Sequence, residues 1–254
     1  MRRLFWPVAA LIGLGAVIWA AQPGQKPGQN PGPQVATGLF TSLPILWNEA
    51  PDVAGQLNDA APPHWARAEL AARGPITALD TLASGGSAAG PLAGLTRLVL
   101  AQPRPLSPDE NVALDNWVKG GGRLLLLADP ALTQHSDFPI TDPRRPQAVV
   151  LLSPILSRWG LDLTFDEAQP YGERVQPVMD VPVPYNLAGR WRVSGQASGG
   201  VNCRAWGDGL AVTCAVGKGR VVALADAAVL EPDDPDGARS KALRWLLDAA
   251  FIGN

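Results

Sequence analysis

Between residues 97 and 130 the apolar positions come in blocks with two different periods. RLVLA (97–101) is a short apolar run closed by Pro103 and Pro105. Over the next stretch, Ala113, Leu114, Trp117 and Val118 fall at helical spacing and line one face. RLLLLA (123–128) then shows no polar alternation, which predicts a strand covered on both sides inside a parallel sheet. Strand, helix and strand in this order predict a βαβ unit with a right-handed crossover. The helix start is well marked: Ser107 can cap it, Pro108 suits its first position, and Glu110 can reach back to close a capping box. At the other end Lys119 complements the helix dipole and Gly120 is placed to supply a left-handed cap.

The flanking pattern extends this unit. TGLFTSLPILW (37–47) is strand-like but interrupted by Pro44, and HWARAELAAR (64–73) is a short helix stopped by Gly74-Pro75. ITALDTL (76–82) is a weak strand, and SGGSAAGPLAG (84–94) is a loop. Ser153-Pro154 opens a short helix ended by Gly160, followed by a strand at LDLTF (161–165). Proline and charge dominate 166–190, which predicts an excursion over the surface. GRWRVSG (189–195), VNCRAW (201–206) and LAVTCAVG (210–217) look like antiparallel strands, and GRVVALADAAVL (219–230) like a last core strand. In the closing helix, Ala242, Leu243, Leu246, Leu247 and Ala250 form one apolar stripe. The expectation is one α/β domain over 37–254. Its sheet is mostly parallel with helices on both faces, and a β-rich insertion lies around 170–217.

The N-terminus changes the expected compartment. Arg2 and Arg3 precede an uncharged run from Leu4 to Ala21, long enough at about 1.5 Å per residue to cross most of a bilayer core. The arginines should stay cytoplasmic, so 1–21 is expected to anchor the chain with its body in the periplasm. The alternative is a cleaved signal peptide, for which Ile18 is bulky at the cleavage site Ile18-Trp19-Ala20. In 22–36, Pro23, Pro27 and Pro31 are each followed by glycine, a linker composition with no apolar face.

Gly120–Gly122 raise the question of a phosphate loop. Such loops run strand, glycines, helix, so that helix N-terminal amides face the anion. Here the order is helix, glycines, strand, so these glycines are expected to stop a helix and turn the chain. The formal charge of −2 offers no footprint for nucleic acid, and none is expected as a partner.

The two cysteines, Cys203 and Cys214, flank an Asp208-Gly209 turn. A two-residue turn there sets Gly207 opposite Leu210 and therefore Cys203 opposite Cys214, which predicts a cross-strand disulfide at a hydrogen-bonded pair. The alternative is two reduced cysteines; an exported domain favours the bond.

Little else suggests chemistry. His64 and His135 have no partner at metal-ligand spacing and are expected at the surface. No nucleophile motif or P-loop is present, and no catalytic residue, metal or cofactor is assigned. The remaining candidates are carboxylates. Asp129 follows the central strand and Asp226 lies in the last one, both able to reach the carboxyl edge where open α/β sheets bind ligands. Glu231 and Asp233 lie close to Asp226 in sequence, so a ligand or divalent-cation role is one reading and capping the next helix is the other.

The stretches LVLAQPRPLSPDENVALDNWVKGGGRLLLLADP (98–130) and GKGRVVALADAAVL (217–230) carry a resemblance. They are similar to blocks of a bacterial superfamily that includes auxiliary components of gliding-type ABC transport systems and membrane-anchored domains encoded near MoxR-type ATPases. The resemblance covers 37–250 and implies a flavodoxin-like fold, that of class I glutamine amidotransferases. The catalytic members carry a nucleophilic cysteine on the turn after the strand that corresponds to 123–128. This chain has Ala128-Asp129-Pro130 there, and Pro130 removes a backbone amide that could have met an oxyanion. Gliding-type auxiliary proteins usually also have a larger extracytoplasmic region and more spanning segments than this chain.

The expected function is a non-catalytic, membrane-tethered periplasmic domain, an auxiliary or scaffold of an ABC-type or ATPase-linked envelope complex, with protein partners. One alternative is an envelope hydrolase or metal-dependent enzyme using Asp129 and Asp226. Another is a carbohydrate-binding module, given nine tryptophans, although Trp117 and Trp245 fall on helical packing faces.

Overall fold

A leucine run with no polar alternation must be covered on both sides, and Leu124 to Leu127 are indeed at most 1% exposed. The computed structural model describes residues 35–47, 49, 62–84, 90–194 and 200–252. All of them belong to one unit, Gln34–Asn254. The expected anchor at 1–21 and linker residues 22–34 lie outside the described residues. Among those described, no helix is long and apolar enough to cross a membrane.

Seven strands form the central sheet: β1 (Thr37–Thr41), β2 (Ile76–Ala78), β3 (Arg97–Ala101), β4 (Arg123–Leu127), β9 (Val201–Trp206), β10 (Ala211–Val216) and β11 (Gly219–Leu224). Their order is β2-β1-β3-β4-β11-β10-β9. β2, β1, β3, β4 and β11 are mutually parallel, whereas β10 and β9 continue the sheet antiparallel. With β11 counted as the fifth parallel strand, the order is 2-1-3-4-5, that of flavodoxin-type sheets. The molecule is therefore a mixed α/β fold with a parallel-rich central sheet.

Period-two placement assigns each strand residue to one of two cores. Val99, Leu125, Leu127, Val222 and Leu224 face one side, packed against α1 (Trp65–Ala71) and α4 (Ala238–Phe251). Leu98, Leu100, Leu124, Leu126, Val221 and Ala223 face the other, packed against α2 (Pro108–Lys119) and α3 (Ser153–Arg158). The apolar stripe expected on α4 is buried from Ala242 to Ala250.

Several elements differ from the sequence reading. β1 stops at Thr41, because the chain bends ahead of Pro44. The proline-rich excursion contains a hairpin of β6 (Arg174–Val178) and β7 (Val181–Tyr185), which buries Val178, Val183 and Tyr185 in the first core. β5 (Leu161–Thr164) pairs antiparallel with β8 (Arg190–Val193) outside the central sheet. β9 and β10, by contrast, are not set apart from the sheet but extend it. The last core strand is also shorter than expected. β11 ends at Leu224, and 225–230 leaves the sheet through Asp226 into a 3-10 turn, Ala228–Leu230.

The capping box forms as the spacing predicts. Ser107 Oγ accepts from the Glu110 amide at 3.2 Å, and Glu110 Oε2 accepts from the Ser107 amide at 2.8 Å. Glu110 does more than close the box. It also accepts from Arg104, the Leu82 amide and the Thr81 hydroxyl, tying α2 to the segment after β2. Burial alone would raise its pKa, but these donors hold the carboxyl down at about 2.

At the other end of α2 the left-handed residue is Gly121, at φ 121°, and not Gly120, which stays helical at φ −72°. The helix ends at Lys119 with Gly120 as its C-cap, and only the change to positive φ comes one residue later than expected. Gly122 follows with its α-carbon against the Trp117 ring, where a Cβ would overlap it.

Cys203 pairs with Cys214 in the β9–β10 register and the two form a disulfide. Their Cα atoms are 4.1 Å apart, the spacing of a non-hydrogen-bonded pair rather than the hydrogen-bonded pair that a two-residue turn gives. The reason is the turn, which spans 207–210 between strands that end at Trp206 and restart at Ala211. The cysteine register is unchanged, but the ladder is shifted in phase.

Candidate functional site

Parallel register brings the two candidate carboxylates together. Leu127 of β4 lies beside Leu224 of β11, and Asp129 and Asp226 each follow two residues later, at the carboxyl edge of the sheet. Both are fully buried. Each of their four oxygens accepts from a backbone amide. Asp129 Oδ1 takes Ala131 at 2.7 Å and Oδ2 takes Ala227 at 3.2 Å. Asp226 Oδ1 takes Ala228 at 2.6 Å and Oδ2 takes Asn186 at 3.0 Å.

Burial dominates the titration of this pair. Desolvation outweighs the amide donors and raises Asp129 to about 7, with the charge of Glu231 adding to it. Asp226 is pushed well above the usual carboxylate range, by burial first and then by the charge of Asp129. Two adjacent carboxyls with little solvent retain a proton between them at neutral pH.

A third residue fixes the position of Asp129. Gln102, buried at the end of β3 with φ 44°, accepts from the Asp129 amide at 2.8 Å and donates to the Asp129 carbonyl at 3.0 Å. Its amide also donates to the Gln147 carbonyl at 2.7 Å. The sequence reading missed Gln102. The available signal was a polar residue between a buried apolar run and Pro103, where the strand must end.

Glu231 is half-buried and accepts from the Thr133 hydroxyl at 3.3 Å; burial raises its pKa. Asp233 stands apart, exposed at the rim of a cleft. Its neighbour Asp234 has the capping role, accepting from the Arg239 and Ser240 amides at the start of α4. The structure thus brings together Asp129, Asp226 and, at their margin, Glu231. Among the described residues, no group of three or more His, Cys, Asp or Glu is placed to hold a metal ion.

The cleft, of about 1010 Å³, opens at the same edge of the sheet. Trp47 and Glu49 come from the segment after β1, His64 and Trp65 from the start of α1, and Gln134 and Asp137 from the segment after β4. Asp129 and Asp226 do not line it. Glu49 is held by the Ser136 hydroxyl and by the Phe138 amide at 3.1 Å. Trp65 Nε1 donates to the Glu231 carbonyl at 2.9 Å. His64 is not the surface histidine expected. It is half-buried as the N-cap of α1, with Nδ1 accepting from the Ala66 amide at 3.1 Å and Nε2 3.0 Å from the Leu230 carbonyl. Burial lowers its pKa, so it stays neutral with the proton on Nε2. His135 is exposed, as expected, beside Asp137.

Comparison with known proteins adds a family. The sequence profile described as a domain of unknown function (DUF4350) matches residues 69–231. No curated protein matches the chain. Among solved structures, an exo-β-1,4-mannosidase from an Opitutaceae bacterium is similar over 85% of this chain and 36% of its own, at 14% identity and TM-score 0.49. A β-galactosidase from Rahnella is similar over 85% of this chain and 30% of its own, at 12% identity and TM-score 0.45. The chain therefore spans about a third of these glycosidases. A putative ThuA-like protein from Bacteroides uniformis is similar over 91% of this chain and 98% of its own, at 10% identity and TM-score 0.46. No property of these proteins is carried over at such distances.

Proposed function

Since the chain belongs to the family described as a domain of unknown function (DUF4350), we propose for it a non-catalytic role at the cell envelope. In this reading it is a tethered periplasmic domain with the flavodoxin-like fold of class I glutamine amidotransferases. It serves as an auxiliary or scaffold of an ABC-type or ATPase-linked membrane complex. One observation carries the reading: at the turn where the related enzymes place a nucleophile, Asp129 is buried and both its carboxyl oxygens are taken by backbone amides. A group so engaged braces loops, and its complete burial keeps it from a substrate. The Cys203–Cys214 disulfide supports an oxidising compartment. The cleft beside this turn, with Trp47 and Trp65 in its wall, is the surface for a partner, since aromatic side chains with a polar handle favour interfaces.

A second reading draws on the same pair. Carboxyls raised in pKa by burial and by each other are what acid–base catalysis uses, and an envelope hydrolase built on Asp129 and Asp226 would need them so. Their absence from the lining of the cleft weighs against it.

The test is crosslinking of the full chain in its native membrane, followed by identification of what co-purifies. A membrane-complex subunit that is captured by the wild type and lost with Trp47→Ala is the expected result. Recovery of monomer alone with several crosslinkers would overturn the scaffold role. Hydrolysis of envelope material that disappears in a folded Asp226→Asn variant would establish the second reading instead.

A further inference from the structure

Two tryptophans wall the cleft at the carboxyl edge, and both are held in place before any partner arrives. Trp47 packs on the buried Phe138 at 5.9 Å between ring centroids and still exposes 38% of its surface. Phe138 in turn carries the Arg144 guanidinium at 4.2 Å, and Arg144 is paired with Asp142. Trp65 is pinned through Nε1 on the Glu231 carbonyl and lies 5.5 Å from the His64 ring. Fixed aromatic plates favour binding, because little side-chain freedom remains to be lost. At about 1010 Å³ the cleft is at the upper end of the range for small ligands, roughly 300–1,000 Å³, which leaves room for several residues of a chain.

The polar groups of the wall are one-sided. Five carboxylates line the cleft, those of Glu49, Glu69, Asp137, Asp233 and Asp234, and among the described residues no lysine or arginine does. Three of the five are engaged within the chain. Glu49 is held by Ser136 and the Phe138 amide, Glu69 pairs with Arg244 at 2.6 Å, and Asp234 takes the amides that start α4. The other two stand exposed at the rim. Asp137 meets the exposed His135 at 3.2 Å, and Asp233 makes no hydrogen bond or ion pair among the described residues.

A further acceptor is buried in the wall. Gln134 lines the cleft, is only 8% exposed, and its Oε1 has no hydrogen-bond partner. An amide oxygen buried unpaired destabilises the fold, and a donor brought by a ligand removes that cost. The rim acids and Gln134 therefore ask for the same thing, a ligand rich in N–H donors and positively charged.

We propose that the cleft takes an extended peptide segment of the partner protein. The segment lays an apolar or proline residue on the Trp47 plate, turns a lysine or arginine to the rim acids, and donates an N–H to Gln134 Oε1. Extended segments dock in aromatic-lined grooves through such residues, and a basic neighbour complements an acidic rim. A saccharide would also stack on tryptophan, but its hydroxyls carry no charge to match Asp233 and Asp137. The inference rests on the reading of this cleft as the partner surface, and it narrows that partner by the chemistry of one segment.

The experiment pans a phage-displayed library of random dodecapeptides against the full chain in detergent. The best binder is then made as a labelled peptide, and its Kd is read by fluorescence anisotropy. Selected sequences should share a lysine or arginine next to proline or an apolar residue. Trp47→Ala should weaken binding at least about tenfold. Asp233→Asn should weaken it about threefold at 0.15 M salt, a difference that shrinks at 0.5 M. Gln134→Leu separates binding from folding: affinity should fall about tenfold while the urea midpoint holds or rises, since an unpaired buried acceptor has become apolar. No enrichment, or a consensus without a basic residue, would overturn the proposal. So would peptide binding that Trp47→Ala and Gln134→Leu both retain at wild-type strength, or saturable binding of chitotriose in place of any peptide. A membrane subunit crosslinked equally to wild type and to Trp47→Ala would remove this cleft and leave the scaffold role. Basic peptides selected by a chain that crosslinks to nothing would do the reverse.

Discussion

The amide of Ala227 donates to Asp129 Oδ2 at 3.2 Å, fastening the loop after β11 to the loop after β4 across 98 residues of sequence. The reverse side of this contact is Asp226, whose own carboxyl holds Ala228 and Asn186. Three loops at the carboxyl edge therefore share two side chains.

Removing either side chain orphans one buried and one half-buried amide. At about 1–3 kcal/mol for each unsatisfied group, Asp129→Ala or Asp226→Ala should cost about 2–5 kcal/mol, read as a lowered urea midpoint at pH 5. The deficit should narrow at pH 8–9, where the wild type must itself ionise a buried pair.

The pH profile of the wild type follows from the same linkage. Asp129 and Asp226 have folded-state pKa values above their unfolded ones, so the folded chain binds more protons and stability falls as pH rises from about 4 through 7. Glu110 acts oppositely. Its pKa of about 2 gives stability that is present above the unfolded value and lost as pH falls toward 2. Thermal unfolding from pH 2 to 9 should show a maximum on the acidic side of neutrality. Asp226→Asn should flatten the alkaline limb and leave the acid limb in place.

Glu110 accepts from Arg104, Thr81, Leu82 and Ser107 while itself buried. Glu110→Ala leaves those donors without their acceptor and should cost about 3–5 kcal/mol in chemical denaturation. Glu110→Gln keeps the shape but turns a donor toward donors, and should recover only part of the loss.

Gly219 fits where α2 ends, and a Cβ there would overlap the Val118 carbonyl. Gly219→Ala should be strongly destabilising, by about 1–3 kcal/mol or more, because backbone cannot move aside as a side chain does. Gly121→Ala meets nothing within 4 Å and suffers only from its positive φ. It should cost about 1 kcal/mol. Circular dichroism melts of the two variants measure the difference.

Loss of the disulfide in Cys203→Ala/Cys214→Ala should cost about 3 kcal/mol, the entropy of closing so short a loop. The melting temperature of the double variant, compared with that of reduced wild type, separates the crosslink from the packing of sulfur.

The local rules read best where period and capping agreed. The 97–128 unit, with Ser107 and Glu110 at its helix start, formed as its pattern required, and the cysteine register followed from one turn. What escaped was non-local. That β9 and β10 extend the sheet is decided by pairing with β11, since alternation alone says which faces are apolar and not which edge a strand joins. The β6–β7 hairpin was hidden by Pro177, Pro182 and Pro184, which are tolerated because this two-stranded ribbon has outer edges with no ladder to donate to. At the site, Asp129 and Asp226 were legible as ends of buried strands. Gln102 and the capping role of His64 were not, because each acts through backbone atoms distant in sequence.

Because both oxygens of Asp129 are already committed, a cysteine or serine installed at that position would have to arrive in a chain whose edge loops had just come loose. The turn is thus closed to a one-step gain of nucleophilic chemistry. Any lineage acquiring it would first need another way to hold residues 131 and 227 in place.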